Sequence, residues 1–302
     1  MVYVLIVNFW CVSLIIGSRG SKLAITQANL VKNSLSEFFS EKIDMSIIKT
    51  KGDKITNSQL YDMDSKGLFT KELDKAVLEE EVDFAVHSLK DVPTDLDEDL
   101  QIISIPERVS PNEVFISNYL WDEIPKGSTL GSSSLRREAF SNFHKKELVL
   151  KPLRGNIETR INKVFEGEVD GTIMAEAGLI RLGLTEYIKN RFSTEYLTPP
   201  AGQGALAIIA RRDSYKKNVL FKLNHFNSFQ ETFAEKTLLH ELGVGCQWPL
   251  GANAKFDGEK LSLYAVLLSK EGEILSKVNI KGSLKEAQDL GILAAKEMKE
   301  FL

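Results

Sequence analysis

Asp83-Phe84-Ala85-Val86-His87-Ser88-Leu89-Lys90-Asp91-Val92-Pro93-Thr94 is the stretch from which the rest of this chain is read. Phe84-Ala85-Val86 is a short apolar run of the kind that forms a buried strand. It stops at His87-Ser88, the charged pair Lys90-Asp91 follows at once, and Pro93 prevents a long uninterrupted helix. In open α/β sheets, ligands bind just beyond the carboxyl ends of strands. Lys90 and Asp91 therefore stand where chemistry is expected, and a carboxylate there suits holding a cation or orienting an N–H. A solvated turn after a strand is the competing reading of this stretch taken alone.

Upstream, residues 12–16 read as a first strand. It runs into the loop Gly17-Ser18-Arg19-Gly20-Ser21-Lys22 and then a helix with Leu23, Gln27, Leu30 and Val31 on one face. A loop of Gly and Ser feeding a helix start favours anions. Residues 45–49 read as a second strand, 54–66 as a mobile polar loop, and Leu73, Ala76 and Val77 as the face of a helix that leads through Val82-Asp83 into the central strand. Downstream the order repeats. Thr129-Leu130 runs into Gly131-Ser132-Ser133-Ser134-Leu135-Arg136-Arg137, and Val169-Asp170 enters the strand Thr172-Ile173-Met174. Asn156 is a good N-cap for a helix with Ile157, Ile161, Val164 and Phe165 on one stripe. This echo implies two similar α/β lobes with loops facing a shared cleft. Segments 106–111 and 197–204, dense in Pro and Gly, read as the crossings between them. A strand at 205–210 then returns to the first lobe. A helix at 229–242, a hairpin of 261–268 and 273–280, and a helix at 284–302 read as a small α+β third domain. The expected boundaries are 1–106 with 199–220 for lobe one, 107–198 for lobe two and 221–302 for the third domain.

Composition sets the limits. The chain has 302 residues, 43% hydrophobic and 26% charged, with a net charge of −4, so nothing global recruits nucleic acid or a membrane surface. Cys11 and Cys246 cannot make a disulfide framework, and the 4 histidines show no zinc spacing. No metal is expected, and a reducing, cytoplasmic setting fits best. Residues 1–11 form an apolar extension of unassigned role. It lacks the basic start of a signal peptide and is shorter than the roughly 20 residues of a span, with a membrane anchor as the alternative.

Arg19, Arg136, Arg137, Arg154, Arg160 and Arg181 all fall at loop–helix junctions of the two lobes. Arg grips carboxylate or phosphate through a planar two-pronged contact, so six around one cleft point to a ligand with several carboxylates. Arg136 and Arg137 also oppose the helix dipole at a helix start, a conflict that an anion would remove. Cys246 lies on the Gly-flanked loop Gly243-Val244-Gly245-Cys246-Gln247, where it can be a nucleophile, an attachment point or an incidental thiol.

Taken together these stretches resemble the porphobilinogen deaminase (hydroxymethylbilane synthase) family from about Ile16 onward. The matching motifs are Gly-Ser-Arg-Gly-Ser-Lys-Leu-Ala at Gly17, Thr-Lys-Gly-Asp at Thr50, Gly-Leu-Phe-Thr-Lys-Glu-Leu at Gly67 and His-Ser-Leu-Lys-Asp-Val-Pro at His87. Gly-Ser-Ser-Ser-Leu-Arg-Arg at Gly131, Leu-Arg-Gly-Asn at Leu153, Pro-Ala-Gly-Gln-Gly at Pro200 and Gly-Cys-Gln at Gly245 complete the set in order. The resemblance implies an α/β fold of two periplasmic-binding-protein-like lobes plus a small α+β C-terminal domain. It implies a transferase that condenses four porphobilinogen molecules head to tail, with loss of ammonia, into hydroxymethylbilane for tetrapyrrole and haem biosynthesis. It also implies a dipyrromethane cofactor held by a thioether at Cys246. Asp91 matches the catalytic carboxylate that steadies the cationic azafulvene. Arg19, Ser21, Lys90, Ser134, Arg136, Arg137, Arg154, Arg160 and Arg181 match residues that bind cofactor and substrate side chains, and Phe69 matches one near the growing chain. A monomer acting on porphobilinogen, without nucleic acid or a stable membrane partner, is the expectation.

Three features depart from the family pattern: the 1–11 extension, Glu176 before the Ala-Gly-Leu run near Arg181, and Val244 within what is usually a Gly-Gly pair. The rival readings are a two-lobed solute receptor, which needs neither Cys246 nor Asp91, and a nucleotide-dependent transferase, for which the Gly-x-x-x-x-Gly-Lys-Ser/Thr loop is missing.

Overall fold

The computed structural model describes residues 13–50, 67, 70–144, 147–244 and 248–301. Expectations for 1–11, 54–66, Phe69 and Cys246 fall outside these residues. In chain order, β1 (Leu14–Arg19), α1 (Lys22–Ser36), β2 (Ile43–Ile48), α2 (Lys71–Leu78), β3 (Phe84–Ser88) and β4 (Leu100–Ser104) come first. Next are β5 (Glu113–Ser117), β6 (Thr129–Ser132), α3 (Leu135–Phe143), β7 (Val149–Pro152), α4 (Ile157–Phe165), β8 (Gly171–Ala175), α5 (Glu176–Leu182) and β9 (Asn190–Arg191). The chain closes with β10 (Leu206–Arg211), α6 (Lys217–Phe221), α7 (Phe226–Leu242), β11 (Leu250–Phe256), β12 (Leu261–Leu268), β13 (Ile274–Gly282) and α8 (Ala287–Met298).

The two five-stranded sheets have the orders β2-β1-β3-β10-β4 and β7-β6-β8-β5-β9. In each, the first three strands run parallel and the fourth is antiparallel to the third. The repeated Val-Asp is the physical basis of the echo. Asp83 accepts from the Ile15 N–H at 2.7 Å and donates its own N–H to the Ile15 carbonyl at 2.9 Å. Asp170 does the same to Thr129, at 2.7 and 3.0 Å. The valine before each aspartate packs over the glycine of the neighbouring strand. A Cβ on Gly17 would lie 3.0 Å from Val82 Cγ2, and one on Gly131 would lie 2.7 Å from Leu153 Cδ2 and 3.1 Å from Val169 Cγ2. So Gly17 and Gly131 belong to strands rather than loops: β1 runs on to Arg19 and β6 to Ser132.

Helix starts follow their caps. Ser21 accepts from the Ala24 N–H, Ser134 from Arg137 and Asn156 from Thr159. On α4 the buried stripe is Ile157, Ile161 and Val164; Phe165 is exposed and leans on Tyr187 at 5.6 Å between ring centroids. The third domain is a three-stranded antiparallel sheet, β11-β12-β13, covered by α7 and α8. Its first strand, β11, has no counterpart in the sequence reading. Val244 is buried in this core, packed with Leu242 and Leu250.

The segments between the lobes run side by side. The Val109 N–H donates to the Gly204 carbonyl at 3.3 Å, and Gly204, at φ +87, sits so close that a Cβ would meet the Ser110 carbonyl oxygen at 2.4 Å. Arg108, in the first crossing, is buried against Glu235 of α7 at 2.7 Å, and the same carboxylate accepts from the N–H groups of Gly202 and Ala254. One buried anion on the third domain thereby holds both crossings.

Candidate active site

The end of β3 delivers Ser88, and a single 3-10 turn, Leu89–Asp91, carries Lys90 and Asp91 beyond it. Leu89 is buried and fixes the turn, while Asp91 is exposed. Lys90 Nζ donates to Gln203 Oε1 at 3.1 Å. The Gln203 amide nitrogen in turn donates to the Pro111 and Asn112 carbonyls, at 2.8 and 3.3 Å, which leaves its oxygen facing Lys90. Burial of the ammonium lowers Lys90 to about 8. Asp91 and Glu113 oppose that shift, and Arg137 and Arg136 reinforce it.

The second lobe answers with cations from α3, α4 and α5. Arg136 and Arg137 both turn to Glu113, the first residue of β5. Arg137 grips it with Nε at 3.1 Å and Nη2 at 2.9 Å, and Arg136 Nη2 donates to the same carboxylate. Arg136 Nη1 donates to the Thr198 carbonyl at 2.6 Å. Burial by itself would raise Glu113, but Arg137, Arg136 and Lys90 overcome it and bring the acid down to about 2. The anion that the arginine pair called for at the head of α3 is therefore supplied, in part, by the protein. Glu113 went unread because a charge opening the apolar run Val-Phe-Ile passes for a solvated strand end; the arginine pair was the one signal for it.

A cavity of about 200 Å³ lies between the lobes. It brings together Lys90, Asp91, Arg137, Arg160 and Arg181 with Gln27 and Ser88 of lobe one and the small residues Ala175, Ala177 and Gly178 of lobe two. Burial lowers Arg160 to about 10, with Arg137 adding to the effect, and burial lowers Arg181 to about 10. Arg181 Nη2 donates to the Gly204 carbonyl at 2.7 Å, while its buried Nε has no hydrogen-bond partner among the described residues. Arg19, Ser21, Ser134, Arg136 and Arg154 are not among the cavity's lining. Ser21 and Ser134 cap α1 and α3, Arg19 ends β1, and Arg154 follows β7. Glu176 accepts from Ser110 Oγ at 2.6 Å and from Arg191 Nε at 2.5 Å.

On the other face of β3, His87 is buried with Nε2 3.7 Å from Asp74 Oδ1. Burial, reinforced by the charge of Arg19, lowers His87 to about 4, and burial raises Asp74 to about 6. This pair also escaped the sequence reading.

Residues 14–218 match the family model described as porphobilinogen deaminase, dipyromethane cofactor binding domain, and residues 229–300 match that of the porphobilinogen deaminase C-terminal domain. The chain belongs to the porphobilinogen deaminase family. A probable porphobilinogen deaminase of Methanothermobacter thermautotrophicus is 60% identical over 289 residues, covering 96% of this chain and 100% of its own. The porphobilinogen deaminase of Alkaliphilus metalliredigens is 39% identical over 296 residues, covering 95% and 94%. Among solved structures the methionine-binding protein MetQ aligns over 70% of this chain and 89% of its own at 10% identity and a TM-score of 0.43, too slight a likeness to carry weight. As a porphobilinogen deaminase the chain is a transferase with a dipyrromethane cofactor. The residues present fit that group: a cation-lined cavity with a buried Arg181 Nε that has no partner among the described residues suits the acidic side chains of two linked pyrroles. Among the described residues no group of His, Cys, Asp and Glu is arranged to hold a metal, and no helix is long and apolar enough to cross a membrane.

Proposed function

We propose that this cavity is where four porphobilinogen molecules are condensed head to tail, each losing ammonia, to give hydroxymethylbilane. The observation that carries the reading is the meeting of one exposed carboxylate, Asp91, with Lys90, Arg137, Arg160 and Arg181 around one cavity. Porphobilinogen bears an acetate and a propionate, and the four cations are suited to gripping both. Holding acidic rings in register makes each condensation effectively intramolecular. Asp91, next to these cations but itself negative, is the group that would accept from pyrrole N–H and stabilise the positive charge that develops as ammonia leaves.

The dipyrromethane supplies the primer to which the first ring is added, and Cys246 is the residue that would hold it through a thioether. Ser21 and Ser134 act through their caps, fixing the helix turns beside Arg19 and beside Arg136 and Arg137. Arg19, at the end of β1, and Arg154, just beyond β7, would meet acidic groups of a chain that outgrows the cavity, and Phe69 would stand near it. Action as a monomer is part of this reading, and a reducing cytoplasm would keep Cys246 a free thiol for attachment.

Intact mass of the denatured protein tests the attachment. Protein made in a host that supplies porphobilinogen is expected above the 33.8 kDa chain by two pyrrole units, and Cys246→Ser at the bare chain mass. An unmodified wild-type mass would overturn covalent attachment.

A further inference from the structure

We infer that Glu113 is a positioning residue for the carboxylate-binding cavity: it fixes which edge of Arg137 the substrate meets and keeps the cation cluster charged and in place. The inference rests on reading that cavity as the site that binds the acidic side chains. Glu113 opens β5 and pairs in register with Ala175, a lining residue, so its side chain rises beside the cavity rather than within it. Its carboxylate is fully buried and is gripped by Arg136 and Arg137 together. Because Arg137 commits Nε and Nη2 to Glu113, one edge of its planar guanidinium is anchored, and Nη1 is the nitrogen left for the cavity that Arg137 lines. A two-pronged Arg–carboxylate contact fixes direction as well as distance. Arg136 has no such surplus, being taken by Glu113 and the Thr198 carbonyl.

The same carboxylate acts on Lys90. The groups that bear on Lys90 are Asp91 beside it, Gln203 from the second crossing, and Glu113, Arg136 and Arg137 from lobe two. Asp91 and Glu113 are the two anions among them, and both favour the charged ammonium. Losing Glu113 leaves two arginine charges less balanced and makes the Lys90 ammonium easier to deprotonate. A residue that served the fold alone would not move the pH at which substrate affinity falls.

The experiment uses cofactor-loaded enzyme, its loading measured by denatured mass, and follows KM and kcat for porphobilinogen from pH 6.5 to 9.5. Glu113→Gln keeps the shape and removes the charge. It is expected to raise KM by about tenfold, the scale of one lost charge-assisted contact, with a smaller change in kcat, and to move the alkaline rise in KM to lower pH. Glu113→Asp keeps the charge but shortens the reach, so its KM should lie between the two while the alkaline limb stays where the wild type has it. Arg160→Ala, which does not touch Glu113, reports on the cavity reading itself and should also raise KM. If Arg160→Ala weakens binding but Glu113→Gln leaves KM and the alkaline limb unmoved, or tightens binding, the inference about Glu113 is wrong and the cavity reading stands. A wild-type KM in Arg160→Ala removes the cavity reading and the inference with it. Should Glu113→Gln fail to fold, Glu113→Asp decides: a wild-type KM in that variant overturns the inference.

Discussion

A lysine that gives up its proton near pH 8 is a poor anchor for a carboxylate above that pH, and Lys90 is in that position. Its folded-state pKa is lowered, so the ammonium is present below about 8 and is lost as the pH rises through that value. Substrate KM should therefore climb on the alkaline side of pH 8. Lys90→Arg, whose guanidinium keeps its charge, should flatten that climb. Identical alkaline limbs in the two enzymes would remove Lys90 from substrate binding. Lys90 and Asp91 could be found from sequence because a strand end followed by charge is a local pattern. Glu113 and Gln203 could not: each is defined by partners dozens of residues away, Glu113 by α3 and Gln203 by Lys90 and the first crossing. The Arg136–Arg137 pair was recognised as a conflict with the helix dipole, but sequence alone does not say whether the relieving anion is a ligand or a buried glutamate.

Among the elements, the repeat was the readable part, since strand, Gly/Ser stretch, helix and Val-Asp recur at matching places in both lobes. The structure adds the reason for the glycines. Gly131 is squeezed by Leu153 and Val169, whereas Gly17 has one tight neighbour, a Val82 methyl. Gly131→Ala should cost about 1–3 kcal/mol, the usual penalty for overpacking a dense interior, and Gly17→Ala distinctly less. Thermal unfolding of the two variants measures this, and equal losses would contradict the packing account. Strands β4, β5, β7 and β11 were missed for a common reason. None shows a clean apolar–polar alternation: β4, β5 and β7 have five residues or fewer, Gly251 and Asn253 break the apolar run of the longer β11, and in fully buried β5 Glu113 and Ser117 bracket three apolar residues. β1 was cut short at Ile16 because Gly17 and Ser18 look like loop; they stay in the strand by pairing with Ser46 and Ile47.

In the molecule as a whole, the two crossings matter most, because they set how the lobes meet over the cavity. Composition located both, but not their fastening: Glu235 of the third domain on Arg108 and Gly202, Gln203 on the Pro111 and Asn112 carbonyls, and Glu176 on Ser110. Through Gln203 this framework reaches Lys90, and Lys90 adjoins Asp91. Among the described residues lining the cationic cavity, Asp91 is the one negative group, and our proposal gives it the chemistry. Asp91→Asn keeps the shape and removes the charge, and the most direct measurement is the rate of hydroxymethylbilane formation from porphobilinogen, followed by absorbance after oxidation to porphyrin. The variant should fold, melt near the wild-type temperature and retain some bound dipyrromethane, with turnover lower by at least about 10²-fold, as when a preorganised charge-stabilising group is lost. Turnover within a few-fold of wild type would contradict the assignment and move the catalytic role to another carboxylate.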